Sequence, residues 1–88
     1  MLKKQEPELL RAVGSTIANR RQFLALTQQQ LADAVGIHRT YLSDIEQGKR
    51  NISIGTLHEI AIRLETSSAA ILRQSDKELV SQKSQSST

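Results

Sequence analysis

Apolar residues recur along this chain in short runs at three- and four-residue steps, each cut off by a glycine or a polar break. Such spacing lines up one stripe of side chains on a single face of an α-helix. The first run holds Leu9, Leu10, Val13, Ile17 and Leu24, with Pro7 suited to an opening turn, where a missing N–H costs nothing. It predicts an amphipathic helix ending near Leu24 or Ala25 and weakened in its interior by Gly14. Thr27 with Gln30 three residues later is the pattern of a capping box. A second helix starts there, with Leu31, Ala34 and Val35 inward and Gly36 as its left-handed stop.

Only Ile37 and His38 separate Gly36 from a third helical stretch, where Leu42 and Ile45 form the buried pair and Gly48 ends the run. His38 stands where a helix cap is expected. Two short helices joined by a tight turn containing glycine form a helix-turn-helix pattern. After the polar connection Lys49-Arg50-Asn51-Ile52, Ser53 is placed to cap a fourth helix with Ile54, Leu57, Ile60, Ala61 and Leu64 inward. Ser67 or Ser68 caps a fifth, carrying Ala70, Ile71 and Leu72, with Leu79 and Val80 continuing its apolar face. The pattern therefore predicts an all-α fold of five helices. Residues 1–6 form an N-terminal extension and 7–80 the domain. Residues 81–88, four Ser, two Gln, one Lys and one Thr, are too polar to offset the cost of ordering and are expected to form a flexible tail.

Composition narrows the function. Eighty-eight residues make one small domain. With one Phe, one Tyr and no Trp, the core must be aliphatic. The absence of cysteine removes disulfides and thiolate metal sites, and two histidines do not make a zinc site. No catalytic constellation or phosphate-binding loop is present: His38, Ser43 and Asp44 crowd one short stretch with no second cluster. No enzyme, metal, cofactor or small-molecule ligand is expected. No apolar run is long enough for a membrane span, and no secretory signal follows the basic start. These features fit a cytoplasmic protein. The net charge of +3 is compatible with a nucleic-acid partner, but the placement of the charges carries more weight than their sum.

Many features then agree in register. They are Arg20-Arg21, Leu26-Thr27-Gln28-Gln29-Gln30-Leu31-Ala32, Val35-Gly36-Ile37, Tyr41-Leu42-Ser43, Ile45-Glu46-Gln47-Gly48-Lys49-Arg50 and Leu57-His58-Glu59-Ile60-Ala61. Across residues 20–72 the chain resembles the lambda-repressor-like, or XRE-type, helix-turn-helix regulators of bacteria and phages. His38-Arg39-Thr40-Tyr41 with Arg50-Asn51 looks most like the controller proteins of restriction–modification systems. Glu65 departs from the family, which often has glycine after helix four, and a shortened or strained helix end is expected there, without loss of the fold.

The resemblance implies a sequence-specific transcriptional regulator with residues 39–47 in the major groove of double-stranded DNA. Arg39 then either donates two hydrogen bonds to guanine O6 and N7, clamps a phosphate, or is simply solvated at the surface. Thr40 offers a methyl and a hydroxyl to the groove, or only starts the helix. Tyr41 either packs over a sugar or base or wedges between helices. Ser43 and Asp44 follow one turn later; Asp44 accepts from cytosine N4, orients Arg39, or is simply solvated. Arg20, Gln28, Lys49, Arg50, Asn51 and Ser53 are expected at the DNA backbone, Gln28 also bracing the recognition helix. Such contacts position the protein without reading sequence. Arg21 and Glu46 are implied to form a structural ion pair between helices one and three.

One short helix reads few base pairs. The resemblance implies a homodimer on a pseudo-palindromic operator with half-sites about 34 Å apart. Ile71, Leu72, Leu79 and Val80 would form its interface, or else close the monomer core. Blocking RNA polymerase would give repression and contacting it activation. The alternative is an antitoxin or adaptor-like protein-interaction module of the same fold, which would expose an apolar patch at the start of helix three.

Overall fold

The computed structural model describes residues 6–86, with side chains over 7–80. Five helices follow one another, α1 Glu6–Phe23, α2 Gln28–Val35, α3 Arg39–Glu46, α4 Ile54–Arg63 and α5 Ser68–Ser86, and no strand occurs among the described residues. Capping decides most helix starts as the sequence predicts. The Thr27 hydroxyl accepts from the Gln30 N–H at 3.0 Å, and the Thr27 N–H donates to Gln30 Oε1 at 2.9 Å, completing the capping box. Ser53 Oγ accepts from the Thr56 N–H at 3.1 Å and Ser67 Oγ from the Ala70 N–H at 3.0 Å. His38 differs: it holds the cap position of α3 through its backbone, and its side chain makes no capping bond.

Four helix ends close on a left-handed residue, and only two of these are glycine: Gly36 (φ 85°), Gly48 (φ 74°), Ala25 (φ 59°) and Glu65 (φ 58°). At α1 the Leu26 N–H returns to the Arg21 carbonyl and the Ala25 N–H to that of Gln22. At α4 the Thr66 N–H returns to Ala61 and the Glu65 N–H to Ile62. Both pairs are the crossed hydrogen bonds of a Schellman closure. Of the two outcomes expected at Glu65 the strained one holds, and Ala25 adopts the same conformation without any signal in the sequence.

The core gathers Val13 and Ile17 of α1, Leu31 and Ala32 of α2, Leu42 and Ile45 of α3, Leu57, Ile60 and Ala61 of α4 with Leu64 just past its end, and Ile71 of α5. Three assignments from periodicity need correction. Ala32 rather than Ala34 is buried beside Leu31. Leu9 lies at the surface. Ile54 is 84% exposed, because the first turn of α4 projects beyond the core while Leu57, one turn on, is buried. The central role of Gly14 is also new. A Cβ there would collide with the carbonyl oxygens of Ile45 and Glu46, the second at 2.7 Å, so the missing side chain lets α1 lie directly against the end of α3. Where α5 crosses α1, Thr16 and Ser75 are buried with their hydroxyls 3.4 Å apart, and each also donates to its own helix, to the carbonyls of Ala12 and Ile71.

The extension expected at 1–6 is helical already at Glu6, and 1–5 lie outside the described residues. In the segment expected as a flexible tail at 81–88, α5 continues to Ser86, and residues 87 and 88 lie outside the described residues. No glycine or proline interrupts the segment, and extending a formed helix costs far less than nucleating one.

Candidate nucleic-acid interface

Leu42 and Ile45 are buried against the core, which fixes the rotation of α3 about its axis. Arg39 and Thr40, in its first turn, are exposed, and Ser43 and Asp44, one turn later, are half-buried. Ser43 Oγ accepts from Gln47 Nε2 at 2.9 Å. Tyr41 is half-buried and packs against the core cluster, so the interhelical wedge describes its position in the free protein. The Arg50 guanidinium lies 5.1 Å from the Tyr41 ring centroid, a cation–π contact that ties the loop after α3 to the helix itself. Between them a shallow hollow is lined by Gly36, Ile37, His38, Thr40, Tyr41, Asp44 and Arg50.

Behind this surface runs a chain of polar contacts. Arg21 Nε donates to Glu46 Oε2 at 2.7 Å and Nη2 to Oε1 at 3.0 Å, a bidentate pair whose side chains are 11% and 5% exposed. Arg21 Nη1 also donates to the Leu26 carbonyl at 2.7 Å. One guanidinium thereby joins the end of α1, the turn into α2 and the last residue of α3. Gln28 extends the chain outward: its Nε2 donates to Glu46 Oε1 at 2.9 Å, and its Oε1 faces Arg39 Nη1 at 3.5 Å. Among the described residues no buried side-chain polar atom lacks a partner.

The remaining cations divide. Lys49, Arg50 and Asn51 are exposed in the loop leaving α3, and Ser53 caps α4 beside them. Arg20 does not join them. Its Nε donates to the Leu64 carbonyl at 2.8 Å and its Nη2 to the Glu65 carbonyl at 3.2 Å. Its guanidinium also lies 5.3 Å from the Phe23 ring. It holds the C-terminal end of α4, where free carbonyls and the helix dipole favour a cation, a structural role that was not among those expected for it. Sequence reasoning missed this because the partners are backbone atoms 44 and 45 residues away. Of the two places expected for the apolar residues of α5, Ile71 takes the core, being 2% exposed, whereas Leu72 and Val80 are exposed at 41% and 63% and Leu79 is half-buried.

A helix-turn-helix family model matches residues 17–71, from the middle of α1 to the first turn of α5. The chain belongs to the helix-turn-helix family. It is 35% identical over 60 residues to the control protein C.SmaI of Serratia marcescens, spanning 68% of this chain and 71% of that protein. Its fold matches the clp gene regulator ClgR from Corynebacterium glutamicum with a TM-score of 0.86 and 26% identity, over 90% of this chain and 84% of the other. It matches the restriction–modification controller protein C.Esp1396I, solved as a tetramer in complex with its natural 35 base-pair operator, with a TM-score of 0.72 and 35% identity, over 82% and 95% of the two chains. The lambda-repressor-like, XRE-type resemblance read from the sequence is borne out. This protein is a DNA-binding helix-turn-helix transcriptional regulator. No helix among the regulator's described residues is long and apolar enough to cross a membrane, and no group of three or more potential metal-ligating side chains occurs among them.

Proposed function

We propose that this regulator binds a pseudo-palindromic operator as a homodimer in the cytoplasm, inserting α3 into the major groove of each half-site. The observation that carries the reading is the division of α3 into two faces. Leu42 and Ile45 fix it to the core, while Arg39 and Thr40 stand exposed at its N-terminal turn. In this architecture that turn meets base edges. Arg39 reads a guanine through two hydrogen bonds, worth about 1–3 kcal/mol of discrimination. Thr40 lies beside it, with Ser43 and Asp44 at the next turn of the groove-facing surface. Tyr41 borders this surface, and Lys49, Arg50, Asn51, Gln28 and the capped start of α4 at Ser53 flank it where phosphates would run. The relative C.Esp1396I, bound as a tetramer to its operator, supports this reading. The dimer forms through the outer face of α5, where Leu72 and Val80 are exposed and Leu79 is half-covered.

Selection of bound duplexes from a random library, followed by gel-shift titration against salt, tests the proposal. Two related half-sites about one helical turn apart are expected, and log affinity should fall linearly with log salt. Arg39→Ala should lose preference at one position per half-site. Salt-independent binding, or no enriched sequence, would overturn the proposal in favour of a protein-interaction module.

A further inference from the structure

His38 stands where a helix cap belongs and does not cap. Its carbonyl accepts from the Leu42 N–H at 3.1 Å, so the backbone fixes it at the start of α3, but neither ring nitrogen is spent on the helix. On its other side Ile37 is half-buried and packs on the core cluster. The residue is therefore rigidly placed while its side chain is exposed. The ring borders the hollow that Thr40, Tyr41, Asp44 and Arg50 also line. It stands one residue before Arg39, on the surface that the proposed complex turns toward DNA. Because the ring does not fold back, the first N–H groups of α3 receive no acceptor from the cap residue. Such groups suit an anion, and a charged imidazole donates from both of its nitrogens. A single phosphate could accept from the ring and from the helix start together.

From this we infer that His38 is a proton-linked contact to the operator backbone: its imidazolium donates to a phosphate oxygen where the strand passes the start of α3, and each protomer takes up a proton from solvent as it binds. The inference rests on the proposed insertion of α3 into the major groove. The charged and titratable groups around the ring are few. Asp44 and Tyr41 of α3 and Arg50 of the following loop line the same hollow, Arg39 is the next residue, and Gly36 and Ile37 of the turn bring no charge. Asp33, near the end of α2, accepts from Gln29 Nε2 at 2.8 Å. Of these residue types, histidine is the one that ordinarily changes charge between about pH 5 and 8. A phosphate stabilises the charged ring, so the complex holds more protons than the free protein and DNA. Operator affinity therefore rises as pH falls and declines as pH rises.

The test uses the full chain, as the parent and as His38→Gln, His38→Lys and His58→Gln. Each is titrated against the selected operator and its single-base variants across about pH 5.5 to 8.5, and against salt at both ends of that range. Glutamine keeps a donor without the charge, and lysine keeps a charge that does not titrate there. His58, exposed on α4, is the other histidine of the chain. The parent and His58→Gln are expected to lose about tenfold in affinity per protomer from the acid to the alkaline end, the scale of one hydrogen bond to a charged group. Their salt slope should shrink by about 0.9 per protomer over the same range. His38→Gln should bind at the parent's alkaline level at every pH, and His38→Lys near its acid level. The loss should be the same on every single-base variant. Since no capping bond is removed, His38→Gln should unfold at the parent's midpoint. A parent whose affinity ignores pH, or a pH dependence that survives in His38→Gln, would overturn the inference. So would a loss confined to one base position, which makes His38 a base reader, or a loss at all pH values with a lowered Tm, which makes it structural. A parent that selects no operator at any pH would overturn the insertion of α3 and this contact together.

Discussion

Gly14→Ala sets two local forces against each other with opposite signs. Within a helix, alanine is favoured over glycine by about 1 kcal/mol, so from the sequence the change should stabilise α1. The packing opposes it. The new methyl would meet the Ile45 oxygen, the Glu46 oxygen at 2.7 Å and the Glu46 carbonyl carbon at 2.8 Å. All three are backbone atoms of α3 and cannot rotate aside, so relief requires α1 and α3 to part by roughly 1 Å. A gap of 0.5–1 Å forfeits about a quarter to a half of each dispersion contact across it. Val13, Ile17, Leu42 and Ile45 belong to the core that these helices help form. Overpacking of this kind costs about 3 kcal/mol, leaving a net loss of about 2 kcal/mol after the propensity gain. For a domain of this size that is a fall in Tm of roughly 8–16 °C. Thermal and urea unfolding followed by circular dichroism measure it. Gly55→Ala is the control: Gly55 is also helical, but its added Cβ has no neighbour closer than Ser53 Oγ at 4.0 Å. That variant should gain up to about 1 kcal/mol. A Gly14→Ala protein as stable as the parent would refute the account of α1–α3 packing.

Four further outcomes are expected. Glu46→Ala leaves the Arg21 guanidinium buried without its partner and should cost about 3 kcal/mol in urea unfolding, whereas replacing both by apolar residues of similar volume should recover most of that loss; equal stability of the single and double variants would count against it. Glu65→Gly relieves the left-handed strain at the end of α4 while keeping the backbone carbonyl that Arg20 binds, and should raise stability by about 1 kcal/mol. Arg20→Ala should lower Tm while leaving the salt slope of operator binding unchanged, and Arg50→Ala should reduce that slope by about 1; a slope change for Arg20→Ala would return it to the interface. In sedimentation, Leu72→Asp and Val80→Asp should yield folded monomers, and Ile71→Asp should unfold the chain; a folded Ile71→Asp monomer would contradict the core position of Ile71.

The legible part of this regulator is its local part. Five helices, the capping box at Thr27, the caps at Ser53 and Ser67 and the glycine stops at Gly36 and Gly48 all depend on contacts within about five residues. Residue type alone therefore signals them. The family resemblance worked by the same means, since turn, cap and buried pair recur at fixed spacing around α2 and α3. Even the Arg21–Glu46 pair came by that route rather than from physics, because nothing local connects residues 25 apart. The tertiary structure decided the rest. It turned Gly14 from a weak point into a contact surface, set Arg20 against the carbonyls at the end of α4, and separated Ile71 in the core from Leu72 outside. It also brought Ser75 to Thr16, 59 residues away, and set Gln28 between a carboxylate and a guanidinium. Each of these depends on which helix lies opposite. Periodicity gives a helix its apolar face but does not say what will be packed against it.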